Sequence, residues 1–115
     1  GGMSLVGIGG SLATNTPYTL SGVDVGGNVA TVGGGGIHVD LTAVVTVSGS
    51  WLEGNSAASG GGADVLVGTL SSVATGWGEC TANTPDDVWV GPIATGYTYG
   101  AVVDFVCTGA GCGAP

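Results

Sequence analysis

Two glycine runs, each followed at once by a short apolar segment, restrict this chain more than anything else in it. Gly33 to Gly36 lead into Ile37-His38-Val39, Gly60 to Gly62 lead into Ala63-Asp64-Val65, and the two apolar pairs lie 26 positions apart. A second match has nearly the same spacing. Ser21 to Asn28 (SGVDVGGN) and Ser48 to Asn55 (SGSWLEGN) share Ser, Gly, Gly and Asn at an offset of 27. Repeats of this length with short strands between glycines are the sign of stacked coils, each burying its apolar side chains on the next.

Within the strands the apolar residues alternate with period two: Val23 and Val25, Ile37 and Val39, Val45 and Val47, Val65 and Val67, Val88 and Val90. No stretch has helical periodicity, and glycine at this density opposes helix. The expectation is therefore an all-β chain of about four coils, a single domain over 1–115. Residues 1–16 form an irregular opening coil, 17–93 the repeats, and 94–115 a closing coil with a glycine-rich tail. The third unit, 68–93, is looser, because Thr84-Pro85-Asp86-Asp87 stands where a glycine run belongs.

Charge narrows the function. There are 26 glycines, eight acidic residues, no lysine and no arginine, for a net charge of -8. Such a surface repels phosphate, which excludes nucleic acid and anionic membrane surfaces as partners. Glycine and polar residues interrupt every apolar run well short of about 18 residues, so membrane insertion is not expected. Nor is a signal peptide expected in 1–16, and the start Gly1-Gly2-Met3 reads as a matured or excised product. Without basic side chains, stability must come from backbone ladders, apolar stacking and disulfides. Clustered cysteines in an acidic, glycine-rich and serine-rich chain point to an exported, extracellular protein.

At Gly35-Gly36-Ile37, Gly61-Gly62-Ala63, Val25 to Asn28, Leu52 to Asn55 and Cys80 to Asn83, the chain resembles the repeats of polymorphic outer-membrane proteins and related autotransporter passengers. Those pair a Gly-Gly-Ala-(Ile/Leu/Val) motif with a Phe-x-x-Asn motif, and here the aromatic is replaced every time. The resemblance implies a right-handed parallel β-helix (a solenoid), export and surface display, and no catalytic residues. In that architecture Asn28 and Asn55 stack into an internal amide ladder. Gly35, Gly36, Gly61 and Gly62 then supply corner conformations closed to other residues.

The reactive residues are few. Cys107 and Cys112 are close enough for a local bridge, Cys80 and Cys107 lie one coil apart, and a third cysteine is left over, free or paired with another chain. His38 points outward between Ile37 and Val39. As the only histidine it reads as an exposed strand residue, with neither a zinc set nor a triad around it. Asp86 and Asp87, with Asp64, Asp40 and Asp104 as stacked neighbours, could hold calcium, although Asp-Asp after Thr-Pro reads more simply as a turn. No cofactor is otherwise implied. Trp51 and Trp77, 26 apart, are expected to stack on each other; with Trp89 they could instead form a sugar-stacking face. Enzymatic activity is not expected, since polysaccharide-lyase chemistry needs basic residues this chain lacks.

Open coil ends present unpaired strand edges, and no lysine blunts them. The expected function is a self-assembling structural subunit of an extracellular filament or surface layer, stacking head-to-tail on copies of itself. The alternative is an adhesin or passenger rod that binds glycan or a host surface.

Overall fold

A computed structural model describes residues 3–6 and 16–115. Its elements are β1 (Met3–Val6), β2 (Thr16–Ser21), β3 (Asp24–Gly26), β4 (Ile37–Asp40), β5 (Ala43–Ser48), β6 (Trp51–Glu53), β7 (Ala63–Val65), β8 (Gly68–Trp77), β9 (Val88–Val90), a 3-10 turn (Gly91–Ile93), β10 (Thr95–Tyr97), β11 (Ala101–Thr108) and β12 (Gly111–Gly113). The fold is all-β, and among the described residues no helix is long and apolar enough to cross a membrane. The expected opening coil over 1–16 falls mostly outside those residues.

The strands form two mixed sheets over one core. The first has the order β1-β4-β7-β9-β10, and the second β12-β11-β8-β5-β2, with β3 and β6 attached beside β8. Pairing is parallel among all the strands from β1 to β9. Ile37 pairs with Ala63 and Ala63 with Val88 in the first sheet, Ala43 with Gly68 in the second. The alternation read from the sequence sets most of the faces: Ile37, Val39, Val45, Val47, Val65, Val88 and Val90 are fully buried, whereas Val67, expected to alternate with Val65, lies past the end of β7 and is exposed.

This arrangement corrects the expected right-handed parallel β-helix of about four coils. From Thr95 onward every strand runs antiparallel to its neighbour: β10 on β9, β11 on β8 and β12 on β11. The cause is local. After β9 the chain enters the 3-10 turn with Pro92, and Ala94 closes it in the left-handed region at φ 48°, its N–H donating to the Gly91 carbonyl at 3.0 Å. That turn reverses the chain, so the last segment folds back onto sheets already formed and the architecture is sandwich-like. The segment 94–115 is thus an antiparallel closure, with Phe105 and Cys107 completing the core.

The repeat glycines serve close approach rather than corner conformations. A Cβ on Gly35 would sit 2.5 Å from the Gly61 carbonyl, on Gly36 2.5 Å from the Gly62 carbonyl, and on Gly61 2.5 Å from the Thr84 nitrogen. On Gly62 it would meet the Asn83 amide and the Trp77 ring, both at 3.1 Å. The neighbouring backbone packs where a side chain would be.

The tryptophans also differ from expectation. Trp51 pairs with Gly76 and Leu52 with Trp77, a register offset of 25 rather than 26. One residue of slip places the two rings on opposite faces. Trp77 is buried against Phe105, centroids 5.3 Å apart, and its indole N–H donates to Ser72 Oγ at 2.9 Å. Trp51 stays on the surface over Gly76.

Candidate functional site

Strand register assembles one outward-facing row from three segments of the chain. Ile37 and Val39 point into the core, so His38 points out; His38 pairs with Asp64 on β7, and Asp64 with Trp89 on β9. Adjacent parallel strands lie about 4.8 Å apart, which brings the three side chains shoulder to shoulder. The imidazole Nδ1 is 2.6 Å from Asp64 Oδ1, while Nε2 is 3.8 Å from Asp40 Oδ2. Asp64 is nearly closed off, its side chain 6% exposed against 30% for His38. Burial pushes the Asp64 carboxyl above the usual carboxylate range, while the hydrogen bond and charge of His38 pull the other way. In the hydrogen bond to an ionised Asp64 the imidazole Nδ1 is the donor, and Nε2 faces Asp40.

This row forms the floor of a groove of about 450 Å³, lined by Val32, Gly33, His38, Ser59, Asp64, Leu66 and Trp89. Gly33 has a steric reason to be glycine: a Cβ there would sit 2.6 Å from Asp64 Oδ2. The sequence reading of His38 as an outward strand residue missed its partner. The signal was present, since His38 and Asp64 hold the same place after the two glycine runs.

Beneath the sheets Asn28 and Asn55 are brought together in a ladder that extends further than the sequence suggested. Asn28 Nδ2 donates to Asn55 Oδ1 at 3.1 Å, Asn55 Nδ2 to Asn83 Oδ1 at 3.0 Å, and Asn83 Nδ2 to Asp87 Oδ1 at 2.8 Å. Asp87 is the terminus: its other oxygen accepts the N–H groups of Tyr99 at 2.6 Å and Gly100 at 3.2 Å. Asp86 lies apart from it, accepting the Gly60 N–H at 2.7 Å, and burial raises its carboxyl above the usual range. Both calcium candidates are thus engaged with the protein itself. Among the described residues no three His, Cys, Asp or Glu side chains gather as a metal-ligand set. Asp104 is taken up elsewhere, accepting the Ala74 N–H where the β8–β11 register shifts.

Cys107 and Cys112 face each other across the β11–β12 hairpin and are disulfide-bonded, while Cys80 is exposed and free.

The chain matches no family model, no curated protein and no solved structure. What defines it is the geometry itself: a β-sandwich-like scaffold with an amide ladder inside and a His-Asp-Trp groove outside.

Proposed function

We propose that the protein is a structural, self-associating subunit of an extracellular filament or surface layer. The observation that carries this reading is the end formed by β1, β2 and β3. Among the described residues β1, β2 and β3 stand last in their strand orders, paired with β4, β5 and β6, and no further described strand lies on the outer edges of β1 and β3, where a partner can add. The opposite end also carries edge strands among the described residues, β10 paired with β9 and β12 with β11, each three residues long, so copies can add at both ends. The occupant of the open edges is a second copy of the chain. Pro17 and Asp24 lie on these edges and are of the kinds that blunt strand addition, which makes the contact reversible. A disulfide fits an oxidising compartment outside the cell.

Self-association must also overcome the net charge of -8. Screening at high salt shortens the range of repulsion to about 3 Å at 1 M, against about 8 Å at physiological ionic strength. Sedimentation velocity across a concentration series should therefore show association that strengthens with salt, and electron microscopy should show ordered assemblies. Thr19→Asp, at an exposed position of β2, should weaken association without unfolding the chain. A strict monomer at high concentration and high salt refutes the proposal. The groove favours a second reading, an adhesive module that recognises glycan.

A further inference from the structure

The row His38–Asp64–Trp89 has a chemistry that structural packing alone does not require. It joins an aromatic ring, an imidazole edge and a hydroxyl, Ser59, in one groove with aliphatic flanks at Val32 and Leu66. We propose that this groove is a binding site for an uncharged sugar ring, with Trp89 as the stacking platform and His38 and Ser59 as the hydroxyl-binding edge. The inference is independent of self-association.

Three observations select this ligand class. The groove volume of about 450 Å³ lies within the roughly 300–1,000 Å³ of small-molecule sites, ample for one or two pyranose rings. Charge excludes the acidic sugars: Asp64 and Asp40 flank the imidazole and the chain has no lysine or arginine, so a uronate or sulfated sugar meets repulsion and no counter-charge. Burial excludes a simple ammonium ligand. The Asp64 carboxylate is 6% exposed and already holds His38, and Asp40 stands on the far side of the ring outside the groove lining, so the polar group presented to a ligand is the imidazole edge rather than a carboxylate. Sugar hydroxyls donate and accept, so they can bond an imidazole edge in either role and a serine hydroxyl in both. A pyranose also has an apolar face of axial C–H groups suited to an indole.

Asp64 acts through His38. By holding Nδ1 it fixes the ring plane, with Nε2 toward Asp40, and Gly33 leaves room for its carboxylate. Asp64 is therefore a positioning residue, and Trp89, His38 and Ser59 are the groups that touch ligand.

The test is an NMR titration of the full chain with methyl glycosides of glucose, galactose, mannose and N-acetylglucosamine and with their neutral disaccharides. Galacturonate and butylammonium serve as charged probes. At least one neutral sugar should shift the Trp89 indole N–H and the His38 ring signals with saturable, millimolar affinity. Trp89→Ala should weaken that binding about tenfold, the scale of one aromatic contact. Trp89→Phe should recover part of it. His38→Gln, a milder change on an outward position, should weaken binding even if the Trp89 variant fails to fold. The proposal is overturned if no neutral sugar moves either signal, if folded Trp89→Ala binds as the parent does, or if butylammonium or galacturonate binds more tightly than every neutral sugar.

Discussion

Replacing Asn55 by alanine should cost this fold far more than replacing Asn28, although the two occupy equivalent places in the repeat. Asn55 is fully buried, and its side chain uses its whole hydrogen-bonding capacity. It accepts from the Asn28 backbone N–H and from Asn28 Nδ2, both at 3.1 Å, and donates to the Val25 carbonyl at 2.9 Å and to Asn83 Oδ1 at 3.0 Å. Truncation takes from the Asn28 backbone N–H its acceptor, a loss of about 1–3 kcal/mol, and removes further bonds at about 1 kcal/mol each, while the Val25 carbonyl stays in the β3–β6 ladder. Asn83 Oδ1 is spared, because it still receives the Asn55 backbone N–H at 3.1 Å. The sum is about 3 kcal/mol. Asn28 is half-buried at the open end and, among the described residues, donates its Nδ2 to Asn55 alone, whose oxygen keeps the Asn28 backbone N–H after truncation. Its loss should be about 1 kcal/mol.

Urea denaturation followed by tryptophan fluorescence measures both. With a slope of about 1.5 kcal/mol/M, the midpoint should fall by about 2 M for Asn55→Ala and by about 0.7 M for Asn28→Ala. Equal shifts, or an Asn55 variant within about 0.5 kcal/mol of the parent, would refute the reasoning, since it rests on burial and bond count rather than on residue type.

The remaining predictions concern charge, close packing and the crosslink. Asp64 and Asp86 both have folded-state pKa values raised chiefly by burial, so the folded protein holds their protons more tightly than the unfolded chain. Their contribution to stability is fully present below the unfolded value of 3.8 and is lost as pH rises through the folded values. Urea midpoints should therefore rise from neutral toward mildly acidic pH, and Asp64→Asn should flatten that rise. Gly62→Ala should destabilise by about 2–3 kcal/mol through its clash with neighbouring backbone and Trp77, whereas Gly113→Ala, with nothing within 4 Å of its Cβ, should be neutral by the same assay. Reduction of Cys107–Cys112, or replacement of both by serine, should lower stability by about 2 kcal/mol, because the bridge closes a loop of sequence separation 5.

Strand positions and faces were legible because they depend on period-two alternation, and alternation survives any change of sheet order. Val45, Val47, Ile37 and Val39 were read as inward and are buried. Overall architecture was not legible, because it turns on Gly91–Ile93 and Ala94, where a three-residue 3-10 turn and one left-handed alanine reverse the chain. Nothing in alternation reports chain direction. Trp77 was misread for a related reason: spacing in sequence was equated with register, and the one-residue slip between β6 and β8 moved the ring to the opposite face. The groove was half legible. His38 was placed correctly on the outer face, but the idea that equivalent positions pair was applied to asparagines and not to His38 and Asp64.

A chain without lysine or arginine still buries carboxylates, and the way it does so explains much of its design. Asp87 is 1% exposed and has no cation near it; it is held by the Asn83 amide and by two backbone N–H groups of the returning segment. Half-buried Asp86 uses the Gly60 N–H in the same way, and exposed Asp104 the Ala74 N–H. Hydrogen bonds from neutral donors can carry a buried carboxylate when several converge. In each case the bond also ties together segments far apart in sequence. Asp87 joins the amide ladder to the antiparallel closure, so the repeat region and the closing strands are fastened at one carboxylate. Asp64 alone takes a titratable partner, His38, and it alone among these four lines the surface groove. The difference separates carboxylates that fasten the fold from the one that is placed to hold a side chain for a ligand.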